Sequence, residues 1–174
     1  LMKTTLLLIT LLLASLLAAC LPTAAPDEAP LVVLLTADGP ITPAMREYLV
    51  RGIRQAELSN AEALILQLNT PGGSVTTMNK MVQDIRGSTV PVIVYVSPRG
   101  GWAASAGAVI TVAAHASAMA PETTIGAASP VGGSGEDLDT TMQAKEKEAL
   151  RATMRSLTER RGTQAMALAE DMIE

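Results

Sequence analysis

An α/β domain, with mostly parallel β-strands and helices on the faces of the sheet, is the fold class this sequence predicts. Three observations carry that prediction. The runs at 31–36, 63–68 and 92–96 are apolar almost throughout, the pattern of strands buried on both faces. Segments of helical period separate these runs, and strands alternating with helices pair in parallel. Two glycine-rich turns, 71–74 and 99–101, each follow a strand, and such sheets carry their loop chemistry at the carboxyl ends of the strands. The two turns are therefore expected side by side at that edge.

Composition limits the partners. With 174 residues, 48% of them hydrophobic and 17% charged, the chain can build one domain with its own core. A net charge of −4 and the absence of a basic run argue against a nucleic-acid surface. The only aromatic residues are Trp102, Tyr48 and Tyr95, too few for a platform on which bases stack. Cys20 and His115 are the sole cysteine and histidine, so disulfides within the chain and thiolate clusters are excluded, and no metal-ligand spacing is visible. No metal or other cofactor is expected.

Residues 1–20 have a basic start at Lys3, an apolar core and a small-residue exit, Leu17-Ala-Ala-Cys20. This is the order of a secretory signal, too short for a comfortable span. Cleavage after the small residues, or retention as an anchor, would equally place the rest of the chain outside the cytoplasm. Residues 21–30, rich in proline and alanine with no apolar period, read as a tether, and the domain is expected over 31–174.

Within the domain, the first strand ends at Asp38-Gly39-Pro40. Thr42 and Pro43 then supply an N-cap and a first-turn proline for a helix with Met45, Leu49, Ile53 and Ala56 on one stripe, ending near Asn60. The second strand runs into Asn69-Thr-Pro-Gly-Gly-Ser74, and Val75, Met78, Val82 and Ile85 mark the next helix. The third strand leads through 99–101 to Ser105, which is expected to open a buried helix. Short extended pieces at 116–119 and 125–128 come next, then a loop over 131–137. Asp139 or Thr140 caps a long helix reaching about Arg161, which Gly162 ends.

Ser105 has two readings at this point. A hydroxyl at a helix N-terminus lies where an alkoxide or oxyanion is stabilised, which suits a nucleophile. A small residue among alanines also suits close helix packing. Pro71-Gly-Gly-Ser74 has three readings: a plain turn, a phosphate cradle, or an oxyanion hole whose glycines admit a substrate close to free N–H groups. It lacks the spacing of a dinucleotide fingerprint and the ending of a P-loop. With Ser105 expected beside it, the oxyanion hole gains weight.

A serine nucleophile needs a base. His115 lies ten residues along the helix that Ser105 opens, a rise of about 15 Å, so the two cannot touch within it. Lysine is the other common base, provided burial keeps its amine neutral. Among Lys80, Lys145 and Lys147, a helical wheel slightly favours Lys145, which shares a small, uncharged strip with Met142, Ala149, Ala152 and Ser156. Lys147 falls near Gln143, Arg151 and Met154.

Four ordered motifs carry a resemblance. Asn69-Thr-Pro-Gly-Gly-Ser74, Gly101-Trp-Ala-Ala-Ser-Ala-Gly107, Ile125-Gly-Ala-Ala-Ser-Pro-Val131 and Arg155-Ser-Leu-Thr-Glu-Arg-Arg-Gly162 together resemble the protease domain of NfeD-type membrane-bound serine proteases. These belong with the signal peptide peptidase A and Clp protease group on the Clp/crotonase fold. The resemblance implies a serine endopeptidase with Ser105 as nucleophile and Lys145 as base. It also implies an oxyanion hole from Gly72 or Gly73 and Ala106. The place of the Clp histidine falls at or close to Ala128, in keeping with a Ser-Lys dyad. Hydrophobic segments of membrane-associated proteins are the implied substrates, and a homodimer or larger homo-oligomer the implied assembly. The exit Leu17-Ala-Ala-Cys20 in turn resembles the lipobox of bacterial lipoproteins, which would make Cys20 the lipidated residue. The sequence stops within a helical pattern, whereas the family's fold continues, so a domain truncated at its C-terminus is expected. Two rivals are a non-catalytic scaffold on the same fold and a crotonase-like acyl-CoA enzyme, the latter disfavoured by export.

Overall fold

Each apolar run becomes a strand. The computed structural model describes residues 29–128 and 139–173. The expected signal, Cys20 and most of the expected tether lie outside the described residues, as does the loop expected over 131–137. The element order is β1 (Val32–Asp38), α1 (Pro43–Leu58), β2 (Ala63–Asn69), α2 (Val75–Gly87), β3 (Val92–Val96), β4 (Trp102–Ala104), α3 (Ala106–Ala113), β5 (Ala116–Met119), β6 (Thr124–Gly126), α4 (Thr140–Thr158) and α5 (Thr163–Asp171). A short 3-10 turn, Glu159–Arg161, links the last two helices.

Four strands form a parallel sheet in the order β1-β2-β3-β5. Its buried face carries Leu35 and Ala37, then Leu64, Leu66 and Leu68, then Val92 and Val94, which join one core with Leu49, Ile53, Met81, Ile85 and Ile110 from the helices, and Val96 is buried on the same face. Burying one such leucine stabilises the fold by about 1.5–3 kcal/mol. The opposite face differs from the expectation of full cover. One register row, Leu34, Ile65, Ile93 and Ala116, grades from half-buried to exposed, with Leu34 57% exposed, because the buried set that meets the helices lies on the other side of the pleat.

The helix starts follow their caps. Thr42 Oγ1 accepts from Met45 N at 3.3 Å with Pro43 in the first turn, and Ser74 Oγ accepts from Thr77 N at 3.2 Å. Asp139 caps α4 by accepting from the Thr141 and Met142 amides. In α2 the inward stripe is Thr77, Met78, Met81 and Ile85, so Val75 is exposed and Val82 only half-buried. Helix α3 is buried at every position. Helix α4 ends at Thr158, three residues before the expected Arg161, because the chain tightens into the 3-10 turn there.

A second element was not foreseen. Trp102–Ala104, to which the sequence assigned no element, is a strand pairing in parallel with β6. β6 itself covers Thr124–Gly126 rather than 125–128. This small sheet carries the chain into Ser105.

Candidate active site

Ser105 occupies the sharp step between β4 and α3. Its backbone has φ 53° and ψ −117°, an unusual conformation for a residue with a Cβ. Such strain costs about 1–3 kcal/mol and persists only where the surroundings enforce it. They do so here: Ser105 N donates to Gly126 O at 2.8 Å, and Ala108 N donates to Ser105 O at 3.0 Å. The side chain caps no amide of α3. A half-buried serine on a strained strand-to-helix turn has the backbone arrangement of a nucleophile elbow.

The two glycine-rich turns meet at this step, as expected. Thr70 N donates to Trp102 O at 2.8 Å and Ala104 N to Thr70 O at 3.0 Å, while Asn69 Oδ1 accepts from Trp102 N at 3.1 Å. Gly72 lies against the serine, since a Cβ there would stand 2.7 Å from Ser105 Cβ and 3.2 Å from its Oγ. The Gly72 amide already donates to Thr70 Oγ1 at 3.1 Å, so its part is close approach rather than donation. Gly73 is pinned by Ile41, whose N donates to Gly72 O at 2.7 Å and whose O accepts from Ser74 N at 3.0 Å. Among the described residues the amides of Gly73 and Ala106 donate no hydrogen bond. Ala106 is the first residue of α3, where the helix dipole adds positive potential.

Thr70 was missed from the sequence, though it is fully buried and holds both turns. Its signal was a short hydroxyl residue at a strand end directly before Pro-Gly-Gly. Gly107 answers it: a Cβ there would come within 2.4 Å of Thr70 Cγ2, so only glycine lets α3 rest on this residue.

The lysines separate by exposure. Lys145 lies on α4 and is exposed, together with Met142, Ala149, Ala152 and Ser156. The inward stripe of α4 is instead Gln143, Lys147, Leu150, Met154 and Thr158, of which Met154 and Thr158 are buried and Lys147 is half-buried. The strip expected to shelter Lys145 thus faces outward, because Met154 and Leu150 rotate the helix to bury the larger apolar side chains. No hydrogen bond joins either lysine to Ser105 among the described residues. His115 lies just beyond α3, exposed, with Nδ1 accepting from Val92 N at 3.0 Å. It lies between α3 and β5, at the end of α3 away from Ser105, so the two do not meet along the helix, as the ten-residue offset predicted.

A parallel α/β domain with a serine on a strained turn into a buried helix, and glycine backbone pressed against that serine, defines a domain of the ClpP-like class. The solved ClpP1 of Listeria monocytogenes aligns over 80% of this chain and 78% of its own, with a TM-score of 0.58 at 21% identity, a likeness of fold. Nearer in sequence is the 1510-N membrane-bound stomatin-specific protease. A serine-to-alanine mutant of it matches 83% of this chain and 70% of its own at TM-score 0.74 and 38% identity. A lysine-to-alanine mutant in complex with a substrate peptide matches 84% and 67% at TM-score 0.75 and 36% identity. The membrane-bound protease PH1510 of Pyrococcus horikoshii is 46% identical over 101 residues, 58% of this chain and 23% of its own length. Membrane protein NfeD1b of Bacillus subtilis is 34% identical over 117 residues, 67% of this chain and 26% of its own. The chain thus spans about a quarter of the length of these curated relatives. The model of the NfeD1b N-terminal domain matches residues 32–174, and the chain belongs to that family.

Proposed function

We propose that this chain is the protease domain of an extracytoplasmic, membrane-tethered serine endopeptidase in which Ser105 is the nucleophile and Lys145 the general base. The observation that carries the reading is the strained Ser105 backbone with Gly72 packed against its side chain. In this reading Lys145 takes the Ser105 hydroxyl proton as Oγ attacks a peptide carbonyl. The Gly73 and Ala106 amides hold the resulting oxyanion, and Lys145 passes its proton to the departing amine. Water, losing a proton to Lys145, then attacks the acyl ester, and Lys145 returns that proton to the departing Ser105 Oγ.

Helix α4 packs on α3, and at its C-terminal end Arg161 donates to Ala114 O beyond the end of α3. The two helices share that end, which favours the first turns of α4, Lys145 included, at the end where Ser105 stands. The mutated serine and lysine of the 1510-N protease lie 41 positions apart, against 40 for Ser105 to Lys145 and 42 to Lys147. Lys147 remains the second reading because it sits on the packed stripe of α4. Substrates are hydrophobic segments of membrane-associated proteins, a reading supported by the stomatin-specific relative. Cys20 lipidation provides the tether, and the working assembly is a homodimer or larger. Among the described residues no helix is long and apolar enough to cross a membrane.

Hydrolysis of fluorogenic peptides of apolar sequence tests the assignment. Ser105→Ala and Lys145→Ala should each abolish turnover while Lys147→Ala retains it. Turnover lost in Lys147→Ala and kept in Lys145→Ala transfers the base to Lys147. A folded wild-type protein inert towards all such peptides returns the chain to the scaffold reading.

A further inference from the structure

At the edge of the sheet opposite Ser105, the protein contains a cavity of about 580 Å³ lined by Arg86, His115, Ser156, Glu159, Arg160 and Arg161, with Leu157. Its position follows from the elements that build it. Arg86 is in the last turn of α2, His115 pairs with Val92 at the start of β3, and the arginine pair belongs to the 3-10 turn after α4. The proteolytic site at the carboxyl ends of the strands makes no use of it.

The charge here is unbalanced. Three arginines and a single acidic residue, Glu159, line it, and none of the ion pairs found among the described residues includes Arg86, Arg160 or Arg161. Arg161 is accounted for by its hydrogen bond to Ala114 O at the end of α3. Burial, and then repulsion from Arg86, push its pKa down, a sign that these cations crowd one another. Helix C-termini favour a cation, yet one would suffice at each end. The histidine adds a donor: Nδ1 accepts from Val92 N, so the ring proton sits on Nε2.

We infer that this cleft binds a phosphate group, held by Arg86, Arg160 and the Nε2–H of His115, with the remaining volume taken by the molecule that bears it. Guanidinium forks match phosphate oxygens in pairs, and an anion relieves the repulsion among the arginines. The volume falls within the range of small-molecule sites and exceeds what the phosphate alone would fill. Both a soluble phosphate compound and a phospholipid headgroup supply this chemistry.

His115 is the only histidine, so its ring protons give an isolated NMR signal. The 174-residue chain is titrated with inorganic phosphate, with sodium chloride at matched ionic strength as the reference. A saturable shift of the His115 signal in phosphate alone is expected, and its loss in the Arg86→Gln/Arg160→Gln double variant with unchanged circular dichroism. Arg51→Gln, a distant surface change, should leave it intact. Arg160→Gln alone, in the exposed 3-10 turn, should weaken binding severalfold and serves if the double variant misfolds. Co-sedimentation with vesicles of phosphatidic acid in phosphatidylcholine, absent with phosphatidylcholine alone and lost in the variant, identifies the headgroup as the source. Phosphate binding without it identifies a soluble ligand. No saturable shift and no selective co-sedimentation, or responses unchanged in the folded variants, overturn the inference.

Discussion

Gly72 and Ser105 touch: the position of a Gly72 Cβ is 3.2 Å from Ser105 Oγ, although 33 residues separate them in the chain. Gly72 also holds φ +109°, where a side chain is strained whatever the space. Gly72→Ala therefore has to move either the loop or the serine. Because displacing one oxyanion donor lowers kcat about 10²–10³-fold, a loss of that size is expected with near-native circular dichroism. Steady-state peptide hydrolysis checks it, and turnover within twofold of wild type would remove Gly72 from the site.

Gly107 and Thr70 make a second close approach that is structural. Gly107→Ala should destabilise by about 1–3 kcal/mol through overpacking against Thr70 Cγ2. Thr70→Ser deletes that methyl group while keeping the hydroxyl that bonds the Gly72 amide, so the double variant should recover part of the loss. Urea denaturation of the four proteins measures the coupling. Strict additivity would mean that the methyl is not what Gly107 avoids.

The orientation of α4 is open to test through its methionines. Met154 is fully buried and Met142 is 45% exposed. Met154→Ala should cost about 2–5 kcal/mol and Met142→Ala about 0.5 kcal/mol or less. Equal losses would mean that α4 packs through the Lys145 strip after all, and the exposure of that lysine would need revision.

Much of this fold was legible because its signals are local. The apolar runs, the Thr42 and Asp139 caps and the glycine-rich turns each act within a few residues, and the structure has each of them where the sequence placed it. Strand β4 was not legible. Its three residues, Trp102–Ala104, have no period of their own and are extended only because Asn69, Thr70 and β6 supply hydrogen-bond partners. The stripe of α4 failed for a related reason. Alanines and lysines leave two faces nearly equal on a wheel, and the choice between them rests on contacts across the sequence, such as Arg155 with Glu170 of α5. Ser105 was a candidate from its position before a buried helix, but its strained backbone is set by Gly126, 21 residues away.

Acid should loosen the attachment of α5. The Arg155 guanidinium bonded to Glu170 holds that carboxyl below the ordinary glutamate range. A pKa lowered by folding contributes stability that is complete above the unfolded value and is lost as pH falls through the folded one. Stability measured by urea denaturation should therefore decline as pH drops below about 4.3, the ordinary glutamate value, and Glu170→Gln should reduce that decline. An identical pH profile in the variant would show that the pair adds nothing in solution, a common outcome for exposed pairs.

Labelling with a fluorophosphonate tests the nucleophile most directly. The reagent bonds covalently to an activated serine hydroxyl and leaves ordinary serines unmodified, so peptide mapping reports which residue has been activated. One adduct on the chain, mapped to Ser105 and absent from a folded Ser105→Ala variant, is the predicted result. An adduct that persists in Ser105→Ala, or that maps to another serine, would contradict the assignment of the strained turn as the catalytic centre.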